Sequence, residues 1–125
     1  MSIVLVVEDG LTDTEIISRY LQKAGFFVIC VTSGEEAQQK LQQQKPDLIL
    51  VDIILPGQSG FELCRDLKTN PNTSQIPVVM CSTKNTGVDK MWGAMLGADA
   101  YLSKPVRQDE LIGVVSQLTR SALKG

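Results

Sequence analysis

Four places in this 125-residue chain set reactive side chains at the end of a short apolar run. Glu8 and Asp9 follow IVLVV, Asp52 follows DLILV, Ser82 and Thr83 follow IPVVMC, and Lys104 with Pro105 follows AYLS. Gathered in one pocket, they would supply three carboxylates, a hydroxyl and an ammonium. Carboxylates at close range repel one another and raise at least one pKa unless cations join them. Lys104 brings the formal sum of Glu8, Asp9 and Asp52 from −3 to −2, and one Mg²⁺ brings it to zero. Oxygen-only donors completed by waters match what Mg²⁺ prefers. Asp52, central in the set, then has two uses, as ligand and as nucleophile, because carboxylates form acyl phosphates. The metal and Lys104 would neutralise the equatorial oxygens of a transferring phosphoryl group. Taken singly, the three acids also read as unrelated charges facing solvent.

The elements around these groups decide whether they meet. The runs IVLVV (3–7), FFVICV (26–31), DLILVDI (47–53), IPVVMCS (76–82) and AYL (100–102) are bounded by turn residues and predict strands. Their apolar residues are continuous, which predicts parallel strands covered on both faces. Helical spacing predicts helices between them. The first covers 11–24, with Ile16, Ile17, Tyr20, Leu21 and Ala24 on one face and Gly25 as a stop. Ser33 and Glu36 fit a capping box opening a helix over 34–43, with Ala37 and Leu41 facing inward. Phe61, Leu63, Cys64 and Leu67 mark a helix over 59–69. Val88, Met91, Trp92, Met95 and Leu96 mark another, stopped by Gly97, and the last covers 108–122. Five such β-α units predict a three-layer α/β domain with right-handed crossovers, spanning 1–125 without repeats or linkers. Open parallel sheets gather function at the carboxyl ends of their strands. The four reactive places lie there, and they converge if the first, third, fourth and fifth strands are neighbours.

Composition excludes other classes. With 12 Lys and Arg against 14 Asp and Glu, the net charge is −2, which gives no footprint for nucleic acid. No apolar stretch approaches the roughly 18–20 residues needed to span a membrane. The start MSIVLVVEDG lacks the features of a signal peptide, so a cytoplasmic protein is expected. There is no histidine, which removes Ser-His-Asp catalysis, His-ligated zinc and a phosphohistidine on this chain. Cys30, Cys64 and Cys81 each lie in an apolar segment without C-x-x-C spacing and are expected to be reduced core residues.

Over nearly its whole length the chain resembles the receiver domain of bacterial response regulators, the fold of the chemotaxis regulator CheY. The resemblance rests on "VVED", on "VDIILPGQSGFEL" with the D-x-x-x-P-x-x-x-G spacing of Asp52, Pro56 and Gly60, on "VVMCST" and on "GADAYLSKP". It implies a flavodoxin-like (βα)5 fold with a five-stranded parallel sheet in the order 2-1-3-4-5. It implies that Asp52 is the phosphoacceptor and that Asp9 and Asp52 hold Mg²⁺, with Mn²⁺ as a substitute. Glu8 would join them directly or through water, and the backbone carbonyl of Ile54 would add a ligand. Lys104 would contact the phosphoryl group, and Pro105 stands where the family often has a cis peptide bond. Ser82 matches the hydroxyl that moves toward the phosphoryl group, and Tyr101 the aromatic that follows it inward. Ile54 and Lys84 occupy the two variable positions that tune dephosphorylation. Glu8 in place of the commoner Asp, and Val106 where many receivers carry Phe, depart from the family pattern without removing a reacting group. "CSTKNTGVDKMWGAMLGADAYLSKP" more closely resembles single-domain receivers of the twitching-motility and type IV pilus branch, including cyanobacterial phototaxis relatives. Trp92 is its most distinctive residue, read either as helix packing or as a partner-facing anchor.

The expected function is a phosphorylation switch. A histidine kinase or phosphotransfer protein would load Asp52. The face formed by the fourth helix, fifth strand and fifth helix would then act on an unidentified downstream protein, without direct nucleic-acid contact or membrane insertion. No output domain follows the last helix, so the output is expected to be protein binding, unless the domain was cut from a longer chain. Catalysis in its own right is not expected beyond weak self-phosphorylation from small donors and self-dephosphorylation. Two rivals differ in class. A binding module would leave the site unused. An Asp-nucleophile phosphatase of the haloacid-dehalogenase type would need a second acid where Ile54 stands, and a cap domain.

Overall fold

The central apolar runs become strands covered on both sides by helices that their flanking segments supply, while the edge run 27–31 stays partly exposed. The structure is a computed structural model that describes residues 1–124, with side chains through Arg120; the expected domain limit at Gly125 lies outside the described residues. Strands β1 (Ile3–Val7), β2 (Phe27–Val31), β3 (Leu48–Val51), β4 (Val78–Ser82) and β5 (Ala100–Ser103) form one sheet. All pairs are parallel, in the order β2-β1-β3-β4-β5, the expected flavodoxin-like arrangement. Helices α1 (Leu11–Lys23), α2 (Gly34–Gln43), α3 (Gly60–Thr69), α4 (Gly87–Met95) and α5 (Gln108–Lys124) alternate with the strands.

Successive strand residues point to opposite faces. Val4, Val6, Leu48, Leu50, Val79, Cys81 and Leu102 therefore pack with Ile17 and Leu21 of α1 and Leu111 and Val115 of α5. Leu5, Val7, Ile49, Val51, Val78 and Met80 point the other way, onto Ala37 of α2 and Leu63, Cys64 and Leu67 of α3. Fully burying one such side chain stabilises the fold by about 1.5–3 kcal/mol.

The capping box expected at Ser33 and Glu36 is only half formed. Ser33 Oγ accepts from the Glu36 N–H at 3.1 Å, but the Glu36 carboxylate accepts from the Thr32 hydroxyl instead. The complete box belongs to α4, where Thr86 and Asp89 satisfy each other's backbone N–H groups. Cys30 is not a core residue. It lies on edge strand β2, exposed, with its sulfur 3.2 Å from Ser18 Oγ, whereas Cys64 and Cys81 are buried as expected. Ile16 and Ala24 share the inward face of α1 only in part, and both are exposed.

Helix α4 is turned opposite to a usual surface helix. Its buried residues are Asp89 and Gly93, while Val88, Met91, Trp92 and Met95 face solvent. A Cβ on Gly93 would lie 3.0 Å from Met80 Sδ and 3.2 Å from Tyr101 Cδ2, so the helix seats closely on the sheet there.

Candidate functional site

The sheet's own hydrogen bonding places the reactive residues. The ladder runs one residue past the strands: Glu8 N–H donates to Val31 O at 3.0 Å, Asp52 N–H to Val7 O at 3.0 Å and Lys104 N–H to Ser82 O at 3.1 Å. Glu8, Asp52 and Lys104 are thus held by rigid backbone at one rim of the sheet. Because β1, β3, β4 and β5 are consecutive in the sheet, their ends converge as expected.

Carboxylate oxygens of Glu8, Asp9 and Asp52 all lie within 4.8 Å of one another. Glu8 and Asp52 are buried and Asp9 is exposed, so the cluster opens to solvent on one side. Lys104 Nζ contacts Glu8 Oε1, and lies 2.9 Å from Asp13 Oδ2 and 3.1 Å from Asp52 Oδ2. The Ile54 N–H donates to Asp52 Oδ1 at 3.2 Å, and the Gly10 N–H to Glu8 Oε2 at 3.1 Å. Burial pushes the Glu8 carboxyl above its ordinary range; Asp52 beside it adds to this, and the bonds from Lys104 and Gly10 only partly offset it. Burial pulls the Lys104 ammonium down, but its bonds to Glu8, Asp13 and Asp52 outweigh that and hold it above the usual lysine range.

The carboxylates suit a hard divalent cation, since every donor is oxygen and the cluster carries excess negative charge. Gly60 keeps the loop beyond Asp52 close: a Cβ there would fall 2.2 Å from the Asp52 carbonyl oxygen and 2.6 Å from Ile53 Cα. The Gly60 N–H donates to Ile53 O at 2.8 Å. Pro105 follows a cis peptide bond, as expected.

Ser82 is buried at the end of β4, and its Oγ accepts from the Lys84 N–H at 3.2 Å. The Tyr101 hydroxyl donates to Lys84 O. Burial pushes that phenol up to about 12. Lys84 Nζ lies 3.3 Å from Asp89 Oδ1, so it pairs with an acid of α4. Ile54 is 59% exposed.

Asp13 is the site residue that sequence reasoning missed. As an acid in the first turn of a helix it needs no further explanation, because the helix dipole favours one there. Only the tertiary structure shows its carboxylate against Lys104.

A doubly wound α/β domain with a carboxylate and lysine pocket at the strand ends fits proteins that carry phosphoryl chemistry on a carboxylate. The response regulator receiver domain family matches residues 4–116, and the chain belongs to that family. It is 36% identical over 116 residues to Protein PilH of Pseudomonas aeruginosa, covering 93% of this chain and 96% of PilH. A putative response regulator from Chloroflexus aurantiacus superposes with a TM-score of 0.92 at 33% identity, covering 95% of this chain and 98% of that one. The Mn²⁺-bound form of response regulator Rcp1 gives a TM-score of 0.80 at 29% identity, covering 94% and 91%. Receiver domains are phosphoacceptors of two-component systems, which places a histidine kinase upstream, and they bind a divalent metal at an acidic pocket of this kind. Among the described residues no helix is long and apolar enough to cross a membrane.

Proposed function

We propose that this chain is a cytoplasmic phosphorylation switch, a single receiver unit in which Asp52 accepts a phosphoryl group from a phosphohistidine. The N–P bond breaks, the imidazole keeps the electron pair, and an Asp52 carboxylate oxygen forms the new O–P bond. With acetyl phosphate as donor, acetate leaves instead, which is the route of the expected weak self-phosphorylation. Water attack later returns inorganic phosphate and the free carboxylate. Lys104, beside Asp52, neutralises phosphoryl charge. Glu8, Asp9, Asp52 and the Ile54 carbonyl would hold Mg²⁺, or Mn²⁺ in its place, and that cation supplies further neutralisation when bound.

The observation that carries this reading is the Lys104 ammonium 3.1 Å from Asp52 Oδ2 inside a three-carboxylate cluster. Incubation with acetyl phosphate and Mg²⁺, followed by intact mass and phosphate-affinity electrophoresis, tests it. Labelling is expected on the wild-type chain and lost in Asp52→Asn; equal labelling of both would overturn it. Apolar Ile54 offers nothing to hold an attacking water, and Lys84 is paired with Asp89, so neither residue is expected to assist hydrolysis. Ile54→Asn is expected to speed phosphate release, and an unchanged rate counts against this part.

Phosphorylation adds about −1.5 to −2 charge and three acceptor oxygens. Ser82 Oγ turning toward them would leave the Lys84 N–H, and Tyr101 is bonded to the same residue. The two proposed switch residues therefore share one backbone segment, in the loop just before α4. The outward apolar row of Val88, Met91, Trp92 and Met95 supports a protein partner for the face made by α4, β5 and α5. Similarity to PilH supports a role in motility or pili.

A further inference from the structure

Lys104 has three carboxylate partners, and two of them, Glu8 and Asp52, belong to the candidate cation set. A divalent cation held by those carboxylates draws on the negative charge that holds the ammonium and repels it. The Lys104 side chain is only 6% exposed. Displaced, it would become a buried unpaired charge or swing into solvent, away from Asp52. The third partner, Asp13, lies outside the cation set, with its Oδ2 2.9 Å from Lys104 Nζ. It stands in the first turn of the 13-residue α1, where the helix dipole favours a carboxylate, and its side chain is half exposed, with room to follow the ammonium.

We propose that Asp13 is a positioning residue that keeps the Lys104 ammonium beside Asp52 when the acidic pocket takes a divalent cation. The proposal rests on the reading of the pocket given above. Its energetic consequence is that Asp13 favours cation binding through Lys104, by giving the ammonium an acceptor that the cation does not need.

Calorimetric titration with Mg²⁺ alone, on the wild-type chain, Asp13→Asn, Lys104→Met and the double variant, tests this coupling. Asp13→Asn is expected to weaken Mg²⁺ binding about three- to tenfold when Lys104 is present, and less than about twofold in the Lys104→Met background. Asp13→Glu is expected to restore most of the loss. In the Mg²⁺-saturated wild-type chain the Lys104 ammonium is expected to give a slowly exchanging ¹⁵N NMR signal that Asp13→Asn removes. Thermal unfolding confirms that each variant is folded, and the NMR signal tests the proposal even if Lys104→Met is not. An equal loss of affinity in both backgrounds would mean that Asp13 acts by charge alone, and would overturn the proposal. An unchanged ammonium signal in Asp13→Asn would overturn it as well. Failure of the wild-type chain to bind Mg²⁺ is a different result, which overturns the pocket reading and this proposal with it.

Discussion

Asp52 follows the central strand β3 and is only 8% exposed, yet it is a carboxylate that the fold can support. Its oxygens receive the Ile54 N–H and the Lys104 ammonium, so burial does not leave it unpaired. Burial also separates the three cysteines. Burial pushes the Cys64 thiol up to about 11 and the Cys81 thiol up to about 12, so both stay protonated near neutral pH. Cys30 is exposed on β2. A disulfide thiol reagent is expected to titrate one thiol rapidly in the native chain, at Cys30, and the other two only after denaturation. Peptide mapping of the labelled chain checks the assignment, and early labelling of Cys81 would contradict it. That Cys30 lies in an apolar run could not distinguish it from the other two, because an edge strand and a central strand share the same local pattern.

Helix α4 shows how an element can be legible while its orientation is not. The spacing of Val88, Met91, Trp92 and Met95 predicts a helix, and the helix is present. Spacing alone defines a stripe but not which side of the helix meets the sheet. Here the close approach at Gly93 and the buried Asp89 set the orientation, and the stripe faces water. Met91→Ser with Trp92→Ser is therefore expected to change stability by no more than about 0.5 kcal/mol per site, as at other exposed positions. Chemical denaturation of the double variant checks this, and a loss typical of core truncation would show that the stripe packs inward. The cap of the same helix gives a pH dependence. The Thr86 hydroxyl, the Thr86 backbone N–H and Lys84 hold the Asp89 carboxyl below its ordinary range. A lowered carboxyl pKa contributes stability above the unfolded-state value that is lost as pH falls through the folded-state value. The stability advantage of wild type over Asp89→Asn is thus expected near neutral pH and should vanish in strong acid. Thermal midpoints at the two pH values measure it; a constant difference would leave the charge of Asp89 without a role.

At the scale of the whole molecule, the pocket exists only in the folded chain, because its groups come from residues 8 to 104 and meet through sheet order. Mg²⁺ should bind the native state far better than the unfolded one. Mass action then adds stability, about 2.7 kcal/mol at a hundredfold excess over the dissociation constant. The thermal midpoint is expected to rise on adding Mg²⁺ to metal-stripped protein, and to rise much less in Asp9→Asn, as scanning calorimetry would show. What the sequence by itself determined was the alternation of strands and helices and the residues that close each strand, because hydrophobic period and turn chemistry act locally. The strand-end positions of Glu8, Asp9, Asp52, Ser82 and Lys104 were legible for that reason, whereas the close pass of the backbone at Gly60 was not. Only the tertiary structure decided that Asp13 meets Lys104, that Lys84 turns to Asp89, that Cys30 lies at an open edge and that α4 shows its apolar side to solvent. Each depends on which surfaces face one another after the layers pack, and two residues far apart in the chain, such as Asp13 and Lys104, carry no local mark of their meeting.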